Sequence, residues 1–216
     1  MALYTSVGGV QKEIGVWYTG IGGVNKQVMQ VYAGIGGVAK ELLPPAVTTW
    51  LFDRAGTYTW TVPRTGNYLI RVLSAGGAGG NGSQKRGDYS GGGGGAINEG
   101  SNTLSLVVNT DYTLTVGAWV SASPGQASAF GTLLTAAAGG RGEDGYGNTA
   151  GQGAAGTYAG EKGEFGSGIG FAAGGCGGNV TVAGIKRQAG YGGGGDASSW
   201  DKGGQGQDGL IYIQLQ

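Results

Sequence analysis

The sequence predicts a mostly β protein organised around a bundle of polyglycine-II helices. Short strands flank the glycine-rich helices, a β-repeat segment precedes them, and α-helix is almost absent. Three observations lead there. Glycine supplies 53 of the 216 residues, and much of it is spaced: Gly76, Gly79 and Gly82; Gly139, Gly142 and Gly145; Gly160, Gly163 and Gly166; Gly203, Gly206 and Gly209 all recur three apart. Alternating apolar segments separate those runs. The first 45 residues carry a repeat of their own.

A period of three is that of the polyproline-II helix, which has three residues per turn and no internal hydrogen bonds. Glycine at every third position leaves one edge of such a helix without side chains, so another backbone can approach it. The peptide groups, which need partners once buried, can then bond between helices, with Cα–H···O contacts adding a little. Collagen uses the same logic with abundant proline, whereas this chain has four prolines and none within those runs. The competing reading is a flexible linker, because glycine and proline together reach a content seen in low-complexity chains. The period, and the strand-like segments between runs, favour an ordered domain.

In chain order, residues 4–45 are three copies of a 14-residue repeat: YTSVGGVQKEIGVW, YTGIGGVNKQVMQV and YAGIGGVAKELLPP. Each opens with tyrosine (Tyr4, Tyr18, Tyr32) and carries a Gly-Gly pair between β-branched residues, a two-residue hairpin signal. Repeats of this size need neighbours to cover their apolar faces. They either pack on the glycine-rich domain, wind with two other chains into a stalk, or form a meander that joins two parts of a particle. Pro44 and Pro45 interrupt both helix and ladder, so a boundary falls there: 1–45 is the repeat segment and 46–216 the glycine-rich domain. Within the latter, strands are expected at 48–52, 58–62, 68–73, 104–108, 112–116, 127–134 and 210–215. No segment of ten or more residues shows capped helical periodicity.

Composition narrows the function. Lys plus Arg and Asp plus Glu are each 13, for a formal net charge of zero, which argues against nucleic-acid binding. No apolar run approaches the roughly 20 residues of a membrane span, and the start lacks the blocks of a signal peptide. Histidine is absent, removing the usual general base and a favoured metal ligand. The single cysteine, Cys176, lies among glycines and reads as a small side chain at a crowded contact; no base stands ready to activate it as a nucleophile. Acidic pairs such as Glu143 and Asp144 read as solubilising. The GxGxxG matches at 151–156 and 204–209 lack the strand and helix that a dinucleotide site requires. No enzyme activity, metal or cofactor is expected.

The segments AGTYTWTVPRTGNYLIRVLSAGGAGGNG, GGGGGAINEG, DYTLTVGA and GQASAFGTLLTAAAGGRG together resemble the glycine-rich domain of bacteriophage tail-fibre and tail-tip proteins, over about 48–216. The repeat length and glycine turn of 4–45 resemble the triple β-spiral of viral fibre shafts. In T-even-like tail-fibre tip adhesins the similar region is a sandwich of polyglycine-II helices whose joining loops contact the bacterial surface; their larger fibre-attachment domain has no counterpart in this sequence. The resemblance implies a virion protein, made in the host cytoplasm and carried on the phage tail. Its implied partners are a bacterial surface receptor (polysaccharide or outer surface protein) and a tail-fibre or tail-tip protein, with a homotrimer possible through the repeats; neither nucleic acid nor membrane insertion is implied. The candidate receptor-binding residues are aromatic or charged side chains in polar loops: Arg86, Asp88, Tyr89, Trp119, Tyr146, Tyr158 and Trp200. Such rings suit sugar stacking or protein hot spots, and equally suit folding back over glycine surface. A related domain occurs in an animal receptor kinase, so fold alone does not assign function. Two rival readings are a purely structural virion part and an ice-binding protein.

Overall fold

The computed structural model describes residues 3–7, 10–14, 18–21, 24–27, 32–35, 38–41, 48–85, 88–146, 149–167, 171–193, 195–196 and 202–216. The chain divides into two compact units, Met1–Thr48 and Thr49–Gln216.

The first unit contains three antiparallel hairpins. They pair β1 (Leu3–Val7) with β2 (Val10–Ile14), β3 (Tyr18–Ile21) with β4 (Val24–Gln27), and β5 (Tyr32–Ile35) with β6 (Val38–Glu41). Their closing pairs, Val7↔Val10, Ile21↔Val24 and Ile35↔Val38, each leave two residues between the strands, as the Gly-Gly signal requires. The register recurs with the sequence: Tyr4 faces Glu13, Tyr18 faces Gln27 and Tyr32 faces Glu41.

The second unit is mostly β-sheet, with no helix among its described residues. Its strands are β7 (Thr49–Phe52), β8 (Gly56–Thr61), β9 (Gly66–Leu73), β10 (Ser83–Lys85), β11 (Asp88–Ser90), β12 (Glu99–Leu106), β13 (Asp111–Val116), β14 (Ser128–Phe130), β15 (Leu134–Ala136), β16 (Phe165–Ser167), β17 (Phe171–Ala172), β18 (Asn179–Val182), β19 (Ile185–Gln188), β20 (Gly195–Asp196) and β21 (Leu210–Leu215). Two four-stranded antiparallel sheets, ordered β12-β9-β21-β7 and β15-β14-β13-β8, form a sandwich. Period-two alternation builds its core. Tyr68, Ile70 and Val72 of β9 and Ile211, Ile213 and Leu215 of β21 share one buried cluster with Trp60, Leu114, Val116 and Phe130 of the other sheet. Aromatic rings fill its centre. Trp60 meets Tyr68 edge-on at 5.5 Å, and Phe130 stacks on Tyr112 at 4.9 Å. These are the favoured geometries for paired π-systems.

Strand identity follows the alternation, and strand limits follow the partner. β12 starts at Glu99, ahead of the expected 104, because its polar first half pairs residue by residue with β9. The segment expected as one strand at 127–134 is two, β14 and β15, because the chain turns at Gly131 with φ of 52°. The hairpin of β18 and β19 turns through Ala183 and Gly184, both at positive φ (49° and 80°), the signature of a type I′ connection.

The glycine-rich segments lie outside these strands and bond to one another through backbone. Their rule is period three. In 91–97, Gly91, Gly94 and Ile97 donate to Glu164, Glu161 and Tyr158; Gly92 and Gly95 donate to Gly193 and Gly190; Gly93 and Ala96 donate to Glu143 and Gly140. The carbonyls of the same residues accept from three further segments: from Gly151 and Ala154, from Gly175 and Gly178, and from Gly80 and Gly77. Six neighbours therefore surround 91–97, and all seven of its residues are buried. That position explains five consecutive glycines. A Cβ at Gly93 would lie 1.8 Å from the Gln152 carbonyl oxygen, and one at Gly94 1.9 Å from that of Cys176. A less enclosed segment needs glycine on one edge alone. In 158–164 the inward Gly163 would clash with the Gly91 oxygen at 2.3 Å, whereas Glu161, Lys162 and Glu164 are exposed. Cys176 departs from the expectation of a crowded contact: its side chain is exposed, and a hydrogen bond with Glu161 raises its thiol pKa.

Candidate functional site

The second unit has two ends, and its covalent path defines them. β9 runs into 74–81, 91–97 runs into β12, and 202–209 runs into β21, so three strands of one sheet continue as three glycine segments. At the sandwich end of the array lie the bonds Ser74 N to Asn98 O, Ala75 N to Gln126 O, Ile97 N to Tyr158 O and Gly209 N to Gly117 O. At the opposite end lie those of Gly91 N to Glu164 O, Gly92 N to Gly193 O and Gly145 N to Asn81 O.

The far end is capped by small sheets. β11 pairs on one side with β10 and on the other with β16, while β17 pairs with β20. The register sets Tyr89 opposite both Gln84 and Gly166, Asp88 opposite Ser167, and Ser90 opposite Phe165. Within this cap two buried hydroxyls, those of the paired Ser83 and Ser90, bond to each other at 3.1 Å. Directly after Gly145 the chain reverses, with Tyr146 N donating to Thr149 O and Thr149 N to Tyr146 O. Tyr146 is 60% exposed, and Phe165 is also exposed.

Of the candidate residues, the fold thus brings Asp88, Tyr89 and Tyr146 to the far end, with Phe165 beside them. Arg86 and Trp200 lie outside the described residues. Tyr158 and Trp119 sit at the other end, against the sandwich. The Trp119 amide donates to Asp208 Oδ1 at 3.0 Å, whose Oδ2 accepts from Ala55 N at 3.2 Å. A shallow notch of about 250 Å3 lies there, lined by Trp119, Asp53, Arg187, Gln207 and Asp208.

Tyr158 belongs to a junction that sequence reasoning missed. Its ring packs against the second core cluster, where Leu73, Ile97, Val180, Val182 and Leu210 meet. Its hydroxyl donates to the Glu99 carboxylate. Arg71 grips the same carboxylate with Nε at 2.6 Å and Nη2 at 3.1 Å. Burial by itself would raise the Glu99 pKa; the hydrogen bonds from Arg71 and Tyr158 outweigh it and hold the carboxyl below its ordinary value. Burial, then Glu99, raises the Tyr158 phenol, and the Glu99 hydrogen bond raises the Arg71 guanidinium. This trio ties β9 and β12 of the sandwich to an outer glycine segment. Its signal in the sequence was Arg71 on the outward phase of an apolar strand, which calls for a partner.

Metal-binding clusters of three or more Cys, Asp or Glu side chains are absent among the described residues. The far end presents the exposed rings of Tyr146 and Phe165 beside its small sheets. No curated protein matches the sequence. The model of a glycine-rich domain matches residues 53–213, the span that runs from the β7–β8 connection through the array to β21, and the chain therefore belongs to the glycine-rich domain family.

Proposed function

We propose that the protein is a phage tail-fibre or tail-tip adhesin. In this reading the glycine array is a bundle of polyglycine-II helices, and the loops joining them bind a bacterial surface receptor. The period-three bonding supports the bundle: successive residues of 91–97 address different neighbours, as a helix with three residues per turn would make them do.

The observation that carries the functional reading is polarity. The chain enters the second unit through Thr49, which pairs with Gln214, beside the Leu215↔Tyr68 pair. That is the end of the sandwich away from the array. Asp88, Tyr89, Tyr146 and Phe165 lie at the other extreme of the unit. Entry point and far-end loops thus lie at opposite ends of this unit, which suits a domain held at one end and engaging a receptor at the other. Residues 1–45 would attach the protein to the fibre or trimerise it, since two-stranded hairpins are marginal alone. The action is binding without chemistry, on a platform whose rigidity leaves its loops free to carry recognition.

Adsorption to host cells tests the reading. Tyr146→Ala should weaken adsorption of the purified chain at least tenfold while leaving its melting temperature unchanged. Binding to no candidate host would favour a structural virion part, and thermal hysteresis in solution would favour the ice-binding reading.

A further inference from the structure

The sheet β15-β14-β13-β8 turns one face to the core and the other to solvent. Its outer face is a register of hydroxyls. Thr57, Thr59 and Thr61 of β8 stand opposite Thr115, Thr113 and Asp111 of β13, and all six are exposed. Two strands further on, Thr135 continues the row through Ala129. Neighbouring strands are about 4.8 Å apart and same-face residues about 6.8 Å apart along a strand, so the face is a regular grid.

A groove of about 480 Å3 opens on this face. Asp111, Tyr112, Thr113, Thr115, Thr132 and Leu133 line it. The Asp111 Oδ1 accepts from the Thr61 hydroxyl at 2.6 Å, which orients the carboxylate. The hydroxyls of Thr113, Thr115 and Thr132 have no side-chain hydrogen-bond partner among the described residues. The Tyr112 ring is held by its stack on the fully buried Phe130, and Leu133 is half exposed.

We propose that this groove binds a neutral oligosaccharide. A sugar ring offers hydroxyls on its rim and C–H groups on its faces. The groove offers both, with threonine hydroxyls that donate and accept beside the apolar side chain of the half-exposed Leu133. No basic side chain lines it, and Asp111 is an acidic one, so an anionic polymer finds no complementary charge there. The groove is on the sandwich, remote from the far-end loops, and does not rest on the adhesin reading.

Calorimetric titration of the full chain with maltohexaose, cellohexaose and mannohexaose tests the proposal, with dextran sulfate as the anionic control. At least one neutral hexaose should bind. The double variant Thr113→Val, Thr115→Val, which keeps branched strand residues, should weaken that binding at least tenfold with the melting temperature unchanged. Leu133→Ser should weaken it as well, and Tyr146→Ala should leave it intact. Binding of no neutral hexaose, equal binding by the double valine variant, or preference for dextran sulfate would overturn the proposal. Loss of hexaose binding in Tyr146→Ala would also overturn it, by moving the site to the far end.

Discussion

The sandwich and the glycine array belong to one chain and are held by opposite means. In the sandwich, side chains fill the interior and backbone groups are paired within each sheet. In the array the interior is backbone itself: 91–97 is wholly buried with two side chains beyond glycine, those of Ala96 and Ile97. The first solution draws on apolar area removed from water. The second relies on satisfying every peptide group at close range. A core of side chains can relax around a change. A core of carbonyl oxygens, packed where an added Cβ would have to go, cannot.

Mutations sharpen that contrast, and the largest effect belongs to the array centre. Gly93→Val puts a branched side chain where the Gln152 oxygen is 1.8 Å from the first added carbon. Overpacking ordinarily costs about 1–3 kcal/mol; with backbone on every side, the expected outcome is loss of the cooperative melting transition, read by calorimetry. Retention of the parent transition would show that the array does not hold Gly93 at a backbone contact.

Next comes the sandwich. Phe130→Ala removes a fully buried ring and should cost about 3–5 kcal/mol, measured by urea unfolding. The variant should remain folded, because a cavity in a side-chain core is tolerated where a clash with backbone is not.

The junction is intermediate. Glu99→Gln leaves a neutral acceptor for Arg71 and Tyr158 and should cost about 1.5–3 kcal/mol, the range for hydrogen bonds to charged groups. The parent should also show a pH dependence that this variant lacks. Glu99 has a depressed folded pKa, so its contribution is complete above the ordinary glutamate value of about 4.5 and disappears as pH falls through the lower folded value. Unfolding free energies measured from pH 6 downward check the sign.

The smallest effects test the array's edge. A Cβ at Gly192 would meet the Gly92 carbonyl oxygen at 1.8 Å, whereas one at Gly204 meets the ring of Tyr191 at 2.6 Å, and that tyrosine is exposed and can swing. Gly204→Ala should lower the melting temperature far less than Gly192→Ala. Tyr146→Ala, at an exposed turn, should change stability by no more than about 0.5 kcal/mol.

Much of this contrast is legible in the residues. Alternation marks β8, β9, β13 and β21 because a half-buried strand needs a period of two. Paired glycines between β-branched residues mark the three hairpins because the turn needs them. Spaced glycines mark close backbone approach because other residues carry a Cβ. Those signals are local, set by the chemistry of a few neighbours in sequence. The β18–β19 hairpin was harder to see, since its four-residue strands are brief and alanine occupies one of its positive-φ positions. At the Glu99 site Arg71 signals that a partner is needed but not which one, since Arg71, Glu99 and Tyr158 meet from three separated segments.

Glycine spacing and strand alternation are written residue by residue, because each depends on what a side chain, or its absence, permits at one position. Which glycines lie at the centre is a property of the assembled fold. Nothing within GGGGGAI distinguishes a linker from a segment with six neighbours until those neighbours, drawn from 77 to 193, are in place. The same assembly puts Tyr146 and Tyr89 at one end while Tyr158 joins the sandwich at the other. Backbone hydrogen bonds carry no side-chain code for their partners, so the pairing of glycine segments is chosen by the strands that anchor their ends.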